Sequence, residues 1–171
     1  LYDHSGNGNH GTIYGATWVT NETTKYVSIN SISELENGSQ SHPFSSIQEA
    51  IDYSMDGDSI LVSAGTYYEN INFNGKNIAL IGEDRVTTII DGQGDNVIDL
   101  SYPSIPYNST MVIENFTITN GGDGIYMLSS GTPNIKNCII KENHGGDNGG
   151  IYVAGDNIGS NPTIENCLIY N

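Results

Sequence analysis

Short apolar runs separated by polar turns are the main pattern of residues 60–90. Four runs follow one another there, at residues 60–62, 71–73, 78–81 and 88–90. No two-residue Asn-Gly turn links two clearly alternating strands, as a simple antiparallel hairpin would require. The pattern therefore favours a solenoid of short parallel strands over an antiparallel meander.

One segment ahead of these runs has helical periodicity instead. In residues 45–55 one face is apolar, because apolar residues recur at intervals of three to four: Ile47, Ala50, Ile51 and Met55. Ser45, with Gln48 three residues later, has the spacing of a capping box, and Gly57 suits the end of a helix. A solenoid needs a cap with a polar outer face over its first coil. We therefore expect a capping helix over residues 45–55.

A motif of the form Ile-x-Asn-x-x-Ile occurs three times in the second half of the chain. Its copies begin at Ile113, at Ile135 and at Ile164, which are 22 and then 29 residues apart. Fixed motifs at variable intervals are typical of coils that share a cross-section but carry loops of different length. We expect about four coils, with the isoleucines in the core. The asparagines would take the left-handed backbone conformation at a bend and hydrogen-bond along the stack as a structural ladder: Asn115, Asn137 and Asn166.

The two cysteines, Cys138 and Cys167, hold the same place in successive motifs. They should lie on adjacent rungs, about 4.8 Å apart, a spacing that a disulfide can span. We nevertheless expect two reduced, buried thiols, because a free cysteine behaves as a small core hydrophobe.

A resemblance to a known family rests on residues 38–92, which contain GSQSHPFSSIQEAID, GDSILVSAGTYYENINFNGKNIALIGE and TTIIDG. They resemble the opening of secreted right-handed parallel β-helix proteins with the pectin-lyase-like fold. The resemblance implies an all-β, right-handed parallel β-helix with an N-terminal capping helix, which we expect over residues 25–171. It implies little about activity, because one fold carries many functions.

The first residues of the chain resemble a different kind of module. Residues 1–19, LYDHSGNGNHGTIYGATWV, are similar to the stretch that closes laminin-G-like, concanavalin A-like jelly-roll modules. We therefore expect residues 1–24 to be the tail of a preceding module plus a linker. The β-helix domain should be truncated at its C-terminal end, with other domains of the same chain on both sides.

The charge balance limits the possible partners. Twenty acidic and five basic residues give a formal net charge of −15. This argues against nucleic acid and against an anionic membrane surface, and no apolar run is long enough for a transmembrane helix. A polyanionic glycan would be repelled unless a divalent cation, such as calcium, bridged the charges. The alternative is a solvated extracellular surface with no electrostatic partner.

The chain has few of the residues that polysaccharide lyases or glycoside hydrolases would need for catalysis. The resemblance implies that lyases of this fold use an acidic calcium site with an Arg or Lys base, and that hydrolases use clustered aspartates. Arg85 lies in an acidic turn, and Lys136 is explained by Glu114 and Glu165 on the neighbouring rungs. We predict no catalytic residue, no metal site and no required cofactor. The alternative is the N-terminal part of a polysaccharide lyase or glycoside hydrolase whose catalytic coils lie outside this sequence.

One outward face is a candidate binding site. Gly-Ile-Tyr occurs at residues 124–126 and again at 150–152, so Tyr126 and Tyr152 should point outward on the same face. Aromatic rings beside Asp and Asn can bind sugars, and Asp123 and Asp147 would lie at the edge. The alternative is an aromatic ladder that packs against loops. Any glycan binding should be weak and centred on this face, and calcium could strengthen it.

These observations predict a non-catalytic segment of an extracellular or cell-surface protein that serves in glycan binding, adhesion or scaffolding. A purely structural spacer is a further possibility. Four Asn-x-Ser/Thr sequons occur, and they matter only if the source glycosylates proteins: Asn21, Asn37, Asn108 and Asn115.

Overall fold

The computed structural model describes residues 23–32, 35–101, 107–128, 131–146, 149–154 and 160–170. These residues form one helix and fifteen short strands. The helix α1 spans Ile47–Tyr53. The strands are β1 (Thr24–Val27), β2 (Ser59–Val62), β3 (Gly65–Tyr68), β4 (Ile71–Asn72), β5 (Ala79–Gly82), β6 (Thr88–Asp91), β7 (Ile98–Asp99), β8 (Val112–Glu114), β9 (Thr117–Thr119), β10 (Ile125–Met127), β11 (Asn134–Lys136), β12 (Ile139–Lys141), β13 (Ile151–Val153), β14 (Thr163–Glu165) and β15 (Leu168–Tyr170).

The strands form three sheets that run along the stack. The first sheet has the order β1-β2-β5-β8-β11-β14, the second β3-β6-β9-β12-β15, and the third β4-β7-β10-β13. Every pairing between these strands is parallel. Four successive coils each give one strand to each sheet, and β14 and β15 open a fifth. The predicted all-β solenoid of parallel strands is confirmed.

The core is built from rows of aliphatic residues that stack from rung to rung. Ile60, Leu80, Ile113 and Ile135 form such a row in the first sheet, and all four are buried. Side chains alternate across a strand, so each inward row leaves an outward row beside it. Each buried aliphatic side chain contributes roughly 1.5–3 kcal/mol to folding. Stacking of like on like therefore sets the register of the coils.

Helix α1 covers the N-terminal end of the stack, as predicted. It packs against β1, β2 and β4, and its buried residues Ile47, Ala50 and Ile51 join the core. At its C-terminal end the prediction is wrong in two details. The helix ends at Tyr53 with Ser54 as its C-cap, and Met55 is 69% exposed, so it does not belong to the apolar face.

The N-cap is Ser46, not the predicted Ser45. Ser46 accepts a hydrogen bond from the Glu49 backbone N–H. Ser45 instead donates its backbone N–H (2.9 Å) and its hydroxyl (3.2 Å) to the carboxylate of Glu36. The helix N-terminus also has a distant partner, since the carboxylate of Glu69 accepts hydrogen bonds from the backbone N–H groups of residues 47 and 48. A carboxylate there is stabilised by the helix dipole, so tertiary contacts shifted the cap by one residue.

The asparagines of the repeated motif form the corner between the first and second sheets, called the asparagine corner below. Asn115, Asn137 and Asn166 have φ values of 64°, 52° and 52°, in the left-handed region. Their amides bond along the stack to mixed partners. Asn166 donates to the Asn137 side chain, Asn137 donates to Glu114 (2.9 Å), and Asn115 donates to the Gly82 carbonyl (3.2 Å).

The cysteines lie on adjacent rungs beside this corner, because Ile139 pairs with Leu168 in the second sheet. Cys138 is buried, Cys167 is half-buried, and both are free thiols. Interaction with the neighbouring Cys167 thiol, together with burial, raises the pKa of Cys138. Interaction with the Cys138 thiol lowers the pKa of Cys167 to about 6. That the thiols stay reduced in solution is a prediction, which thiol titration of the denatured, unreduced protein would test.

The expected jelly-roll tail lies outside the described residues, which begin at Thr23. From that point the chain belongs to the solenoid. Thr23 donates its backbone N–H to Asp58 (2.7 Å), and β1 pairs with β2 from Thr24 onward.

Candidate functional site

Four residues of the third sheet form one outward row along the stack. The register places them on successive rungs, and we call the row the tyrosine face: Asn72, Asp99, Tyr126 and Tyr152. The residue before each of them is an isoleucine in or against the core: Ile71, Ile98, Ile125 and Ile151. Because side chains alternate along a strand, burial of the isoleucine row places the polar and aromatic row outside.

The two tyrosines stack on each other. Their ring centroids are 5.2 Å apart and their planes differ by 9°, which is close to the rung spacing of about 4.8 Å. One face of each ring is therefore covered by the other tyrosine. The remaining face of Tyr126 is directed toward the rung of Asp99. A tyrosine side chain is longer than an aspartate, so the ring extends further from the sheet than the Asp99 carboxylate does.

An open groove of about 400 Å³ lies along the other half of the row. It is lined by Asn70, Ile71, Asn72, Gly94, Asp95, Asn96 and Asp99. Most of these residues come from β4, β7 and the turn before β7. Asp99 lines the groove and is paired with Tyr126 on the next rung, so the groove and the tyrosines belong to the same row, although Tyr126 itself does not line the groove.

Hydrogen bonds hold part of the groove in place and leave the rest open. Asn70 donates through Nδ2 to the carbonyls of Gly92 (2.8 Å) and Asn96 (3.0 Å). Asp99 accepts at Oδ1 from the backbone N–H of Ser101 (2.8 Å). Among the described residues, Oδ2 of Asp99 has no hydrogen-bond partner. The groove thus offers a fixed carboxylate oxygen to a ligand hydroxyl.

Two further groups complete the groove. Asn72 accepts at Oδ1 from the backbone N–H of Asn74 (2.7 Å), which leaves its amide N–H₂ as a donor. Asp95 is exposed and supplies a second carboxylate. One amide donor and two carboxylate acceptors suit the hydroxyls of a sugar, which both donate and accept hydrogen bonds.

Positive charge is absent from this surface. All five basic residues of the chain lie in the described part: Lys25, Lys76, Arg85, Lys136 and Lys141. Three lie on β1, β11 and β12, and each of these is within 4.0 Å of a carboxylate. Lys76 donates to carbonyls at the end of α1. None lines the groove, so its carboxylates repel an anionic ligand.

Arg85, the single arginine, lies at the asparagine corner. Its guanidinium donates to the carbonyl of Asn166 (3.4 Å), and a small polar pocket there also contains Glu83 and Asp84. The corner is on a different face from the tyrosines. Within the described residues, no group of three or more His, Cys, Asp or Glu side chains is arranged to hold a metal ion.

Asp123 does not lie on the exposed edge that its position in the sequence suggested. Its side chain is only 9% exposed, and Oδ1 is buried without a hydrogen-bond partner in the described part of the chain. A Cβ added at Gly145 would clash with this oxygen, so the glycine of the next coil covers it. Burial raises the pKa of the Asp123 carboxyl. Asp147, the other proposed edge residue, lies outside the described residues.

Comparison with known proteins gives the family. A family model described as "Right handed beta helix region" matches residues 32–171. The chain belongs to the right-handed β-helix family. A stretch of 113 residues is 35% identical to a cell surface glycoprotein of Methanothermus fervidus; it covers 64% of this chain and 17% of that protein. No solved structure matches the chain. Among the described residues, no helix is long and apolar enough to cross a bilayer.

Sequence reasoning singled out the tyrosines but missed Asn72 and Asp99. The signal was present, because an isoleucine followed by an outward residue begins at positions 71, 98, 125 and 151. The first two copies carry Asn and Asp in place of Tyr. A search for a repeated aromatic residue overlooks them, whereas a search for the isoleucine row finds all four.

Proposed function

We propose that this chain is a non-catalytic β-helix segment of a cell-surface or extracellular protein, and that it binds neutral glycan chains along the tyrosine face. The observation that carries the proposal is the in-register row of Asn72, Asp99, Tyr126 and Tyr152 beside an open polar groove. The surface location is supported by the 35% identity to a cell surface glycoprotein.

A sugar ring fits the step between Asp99 and Tyr126. Its apolar face would pack on the free face of the Tyr126 ring, and its hydroxyls would donate to the carboxylate below. Hydrogen bonds to a charged acceptor contribute roughly 1.5–3 kcal/mol in favourable cases. The next sugars would follow the groove toward Asn72. A ligand that runs along the axis of the β-helix therefore gains one polar contact at each rung.

Charge selects the class of glycan. Asp95 and Asp99 face the groove without a neighbouring cation, and the whole chain carries a net charge of −15. Binding of a uronic acid polymer would bring like charges together, and their repulsion would weaken the binding. Salt screens this repulsion over about 8–10 Å. Neutral glycans avoid this cost. Calcium would reduce the repulsion by binding the carboxylates, so it would admit acidic chains rather than strengthen neutral ones.

The test is a calorimetric screen of neutral and uronic acid oligosaccharides, run with calcium and with a chelator. We expect binding of at least one neutral oligosaccharide and little binding of acidic ones in chelator. Asp99→Asn should weaken neutral binding by about 3- to 10-fold, since it removes a charged acceptor, and should raise the affinity for acidic chains. Glu165→Gln, which makes the same charge change on the first sheet, is the matched control and should alter neither.

Two results would contradict the proposal. Equal or better binding of acidic chains in chelator would remove the charge argument. Release of new chain ends by the purified protein would show catalysis and favour a lyase or hydrolase.

A further inference from the structure

Three of the four Asn-x-Ser/Thr sequons lie in the described residues, and the fold treats them differently. They begin at Asn37, Asn108 and Asn115. Transfer of a glycan to such a sequon requires the asparagine amide nitrogen to reach an enzyme, so the site must be on the surface. The three can therefore be ranked by which of their polar groups are already engaged.

The sequon at Asn115 is closed. The Asn115 amide donates to the Gly82 carbonyl (3.2 Å) inside the asparagine corner. Phe116 is buried in the core, and the hydroxyl of Thr117 donates to the Arg85 carbonyl (2.6 Å). Modification would have to break both hydrogen bonds and extract a buried ring. In the folded chain this sequon has a structural role.

The sequon at Asn108 is open. Its three residues are exposed and form a turn just before β8, where the third sheet is succeeded by the first. Asn108 Oδ1 accepts from the Thr110 backbone N–H (2.8 Å) and hydroxyl (2.6 Å). Both bonds engage the oxygen, and in the described part of the chain Nδ2 has no partner. The backbone is anchored, since the Asn108 N–H donates to Asn77 Oδ1 (2.7 Å).

The sequon at Asn37 is intermediate. Its side chain is exposed, and Oδ1 accepts from the Ser39 backbone N–H (3.0 Å). However, the sequon hydroxyl of Ser39 is directed to Ser41 (3.3 Å) rather than to the asparagine. The backbone is held by hydrogen bonds from residues 37 and 38 to the His42 carbonyl. The enzyme would have to rearrange this turn to engage all three residues.

We propose that Asn108 is the acceptor of an N-linked glycan. The donor would be a sugar activated at C1 by a lipid pyrophosphate. Asn108 Nδ2 forms a bond to C1, the bond from C1 to the pyrophosphate oxygen breaks, and the amide proton is lost to a base of the transferase. The products are the glycosylated amide and the lipid pyrophosphate. This inference does not depend on glycan binding by the tyrosine face.

The experiment compares folded and unfolded acceptor. The purified chain, either folded or denatured and cleaved into sequon-containing peptides that cannot refold, is incubated with a single-subunit oligosaccharyltransferase and its lipid-linked donor. Peptide mass spectrometry then gives the occupancy of each sequon. In the folded chain we expect Asn108 to be modified at least about tenfold faster than Asn115, since a closed site reacts only through local opening. In the unfolded chain the difference should largely disappear.

Two variants complete the design. Thr110→Val removes the sequon hydroxyl but keeps Asn108, and it should abolish modification there while Asn37 is unaffected. Asn108→Gln should remove the corresponding glycopeptide; circular dichroism checks that both variants fold. The proposal is overturned if Asn108 stays unmodified in the folded chain, or if Asn115 is modified there at a similar rate.

Discussion

The asparagine corner and the tyrosine face are both built by stacking, but they differ in how many of their polar groups are hydrogen-bonded. Both stack equivalent residues on successive rungs of one solenoid. At the corner the amides bond to one another, to Glu114 and to a backbone carbonyl. On the tyrosine face the rings stack, but an Asp99 oxygen and the Asn72 amide remain available. Repetition alone therefore does not indicate function; unsatisfied, solvent-facing groups do.

The backbone explains why the two regions diverge. The corner residues turn the chain between sheets in the left-handed conformation, which asparagine tolerates better than most residues. Their side chains fold back over the turn and meet the rung beside them. The face residues lie within strands, where side chains stand away from the sheet. At this corner the side chains are therefore satisfied by neighbouring rungs, whereas the strand residues Asn72 and Asp99 leave part of their hydrogen-bonding groups open.

The largest expected effect comes from a substitution in the hydrophobic core that both regions share. Ile118 is buried in β9 and stacks between Ile90 and Ile140. Ile118→Ala should lower the free energy of unfolding by about 2–5 kcal/mol, through lost burial and a cavity. Denaturant unfolding measures it. A loss under about 1 kcal/mol would mean that the rungs are far less tightly packed than the burial indicates.

The next effect is confined to the corner. Asn137→Ala should cost about 2–3 kcal/mol, because alanine is strained at φ 52° and two side-chain hydrogen bonds are lost. Asn137→Gly, which relieves the strain but not the lost bonds, should recover part of this. Glycan affinity should stay unchanged in both variants. Equal destabilisation by glycine and alanine would show that the backbone conformation contributes nothing.

On the tyrosine face, in contrast, we expect a substitution to change ligand binding more clearly than stability. Tyr126→Ala should cost at most about 1.5 kcal/mol of stability through the lost ring stack. It should weaken binding of a neutral oligosaccharide by about tenfold, which corresponds to about 1.4 kcal/mol. Tyr68→Ala, at a tyrosine of the second sheet that is 62% exposed, is the matched control. Unchanged binding in Tyr126→Ala would leave the structural spacer as the better interpretation.

The smallest expected effect is on the pH dependence of stability, and it comes from Asp123, whose carboxyl group is buried, unlike that of Asp99. Because burial raises the pKa of Asp123 above its unfolded value, the folded state binds the proton more tightly. Its stability should therefore fall as pH rises through that pKa range. Asp123→Asn should be slightly more stable than the parent at pH 7, and the difference should shrink as pH is lowered. Thermal unfolding at several pH values measures it; a difference that grows toward low pH would have the wrong sign.

Several local features could not be predicted from neighbouring residues. Ser45 and Ser46 are equally good caps by type, and carboxylates distant in sequence, Glu36 and Glu69, decide between them. Asp123 has the sequence setting of a loop acid, but Gly145 of the next coil covers it. Glu69 and Gly145 belong to other parts of the stack, so their approach depends on how the coils pack.

The sequence by itself determined the architecture. The Ile-x-Asn repeat specified the rungs, the positions of the inward rows and the place of the left-handed asparagines, because a solenoid repeats one local conformation and stacking enforces its register. Only the tertiary structure decided which polar groups remain open. Asn72, Asp99 and Tyr126 lie on successive rungs although each is 27 residues from the next, and Asn108 differs from Asn115 through contacts with earlier coils. The satisfaction of a hydrogen-bonding group depends on all of its neighbours in space, and most of these are distant in sequence.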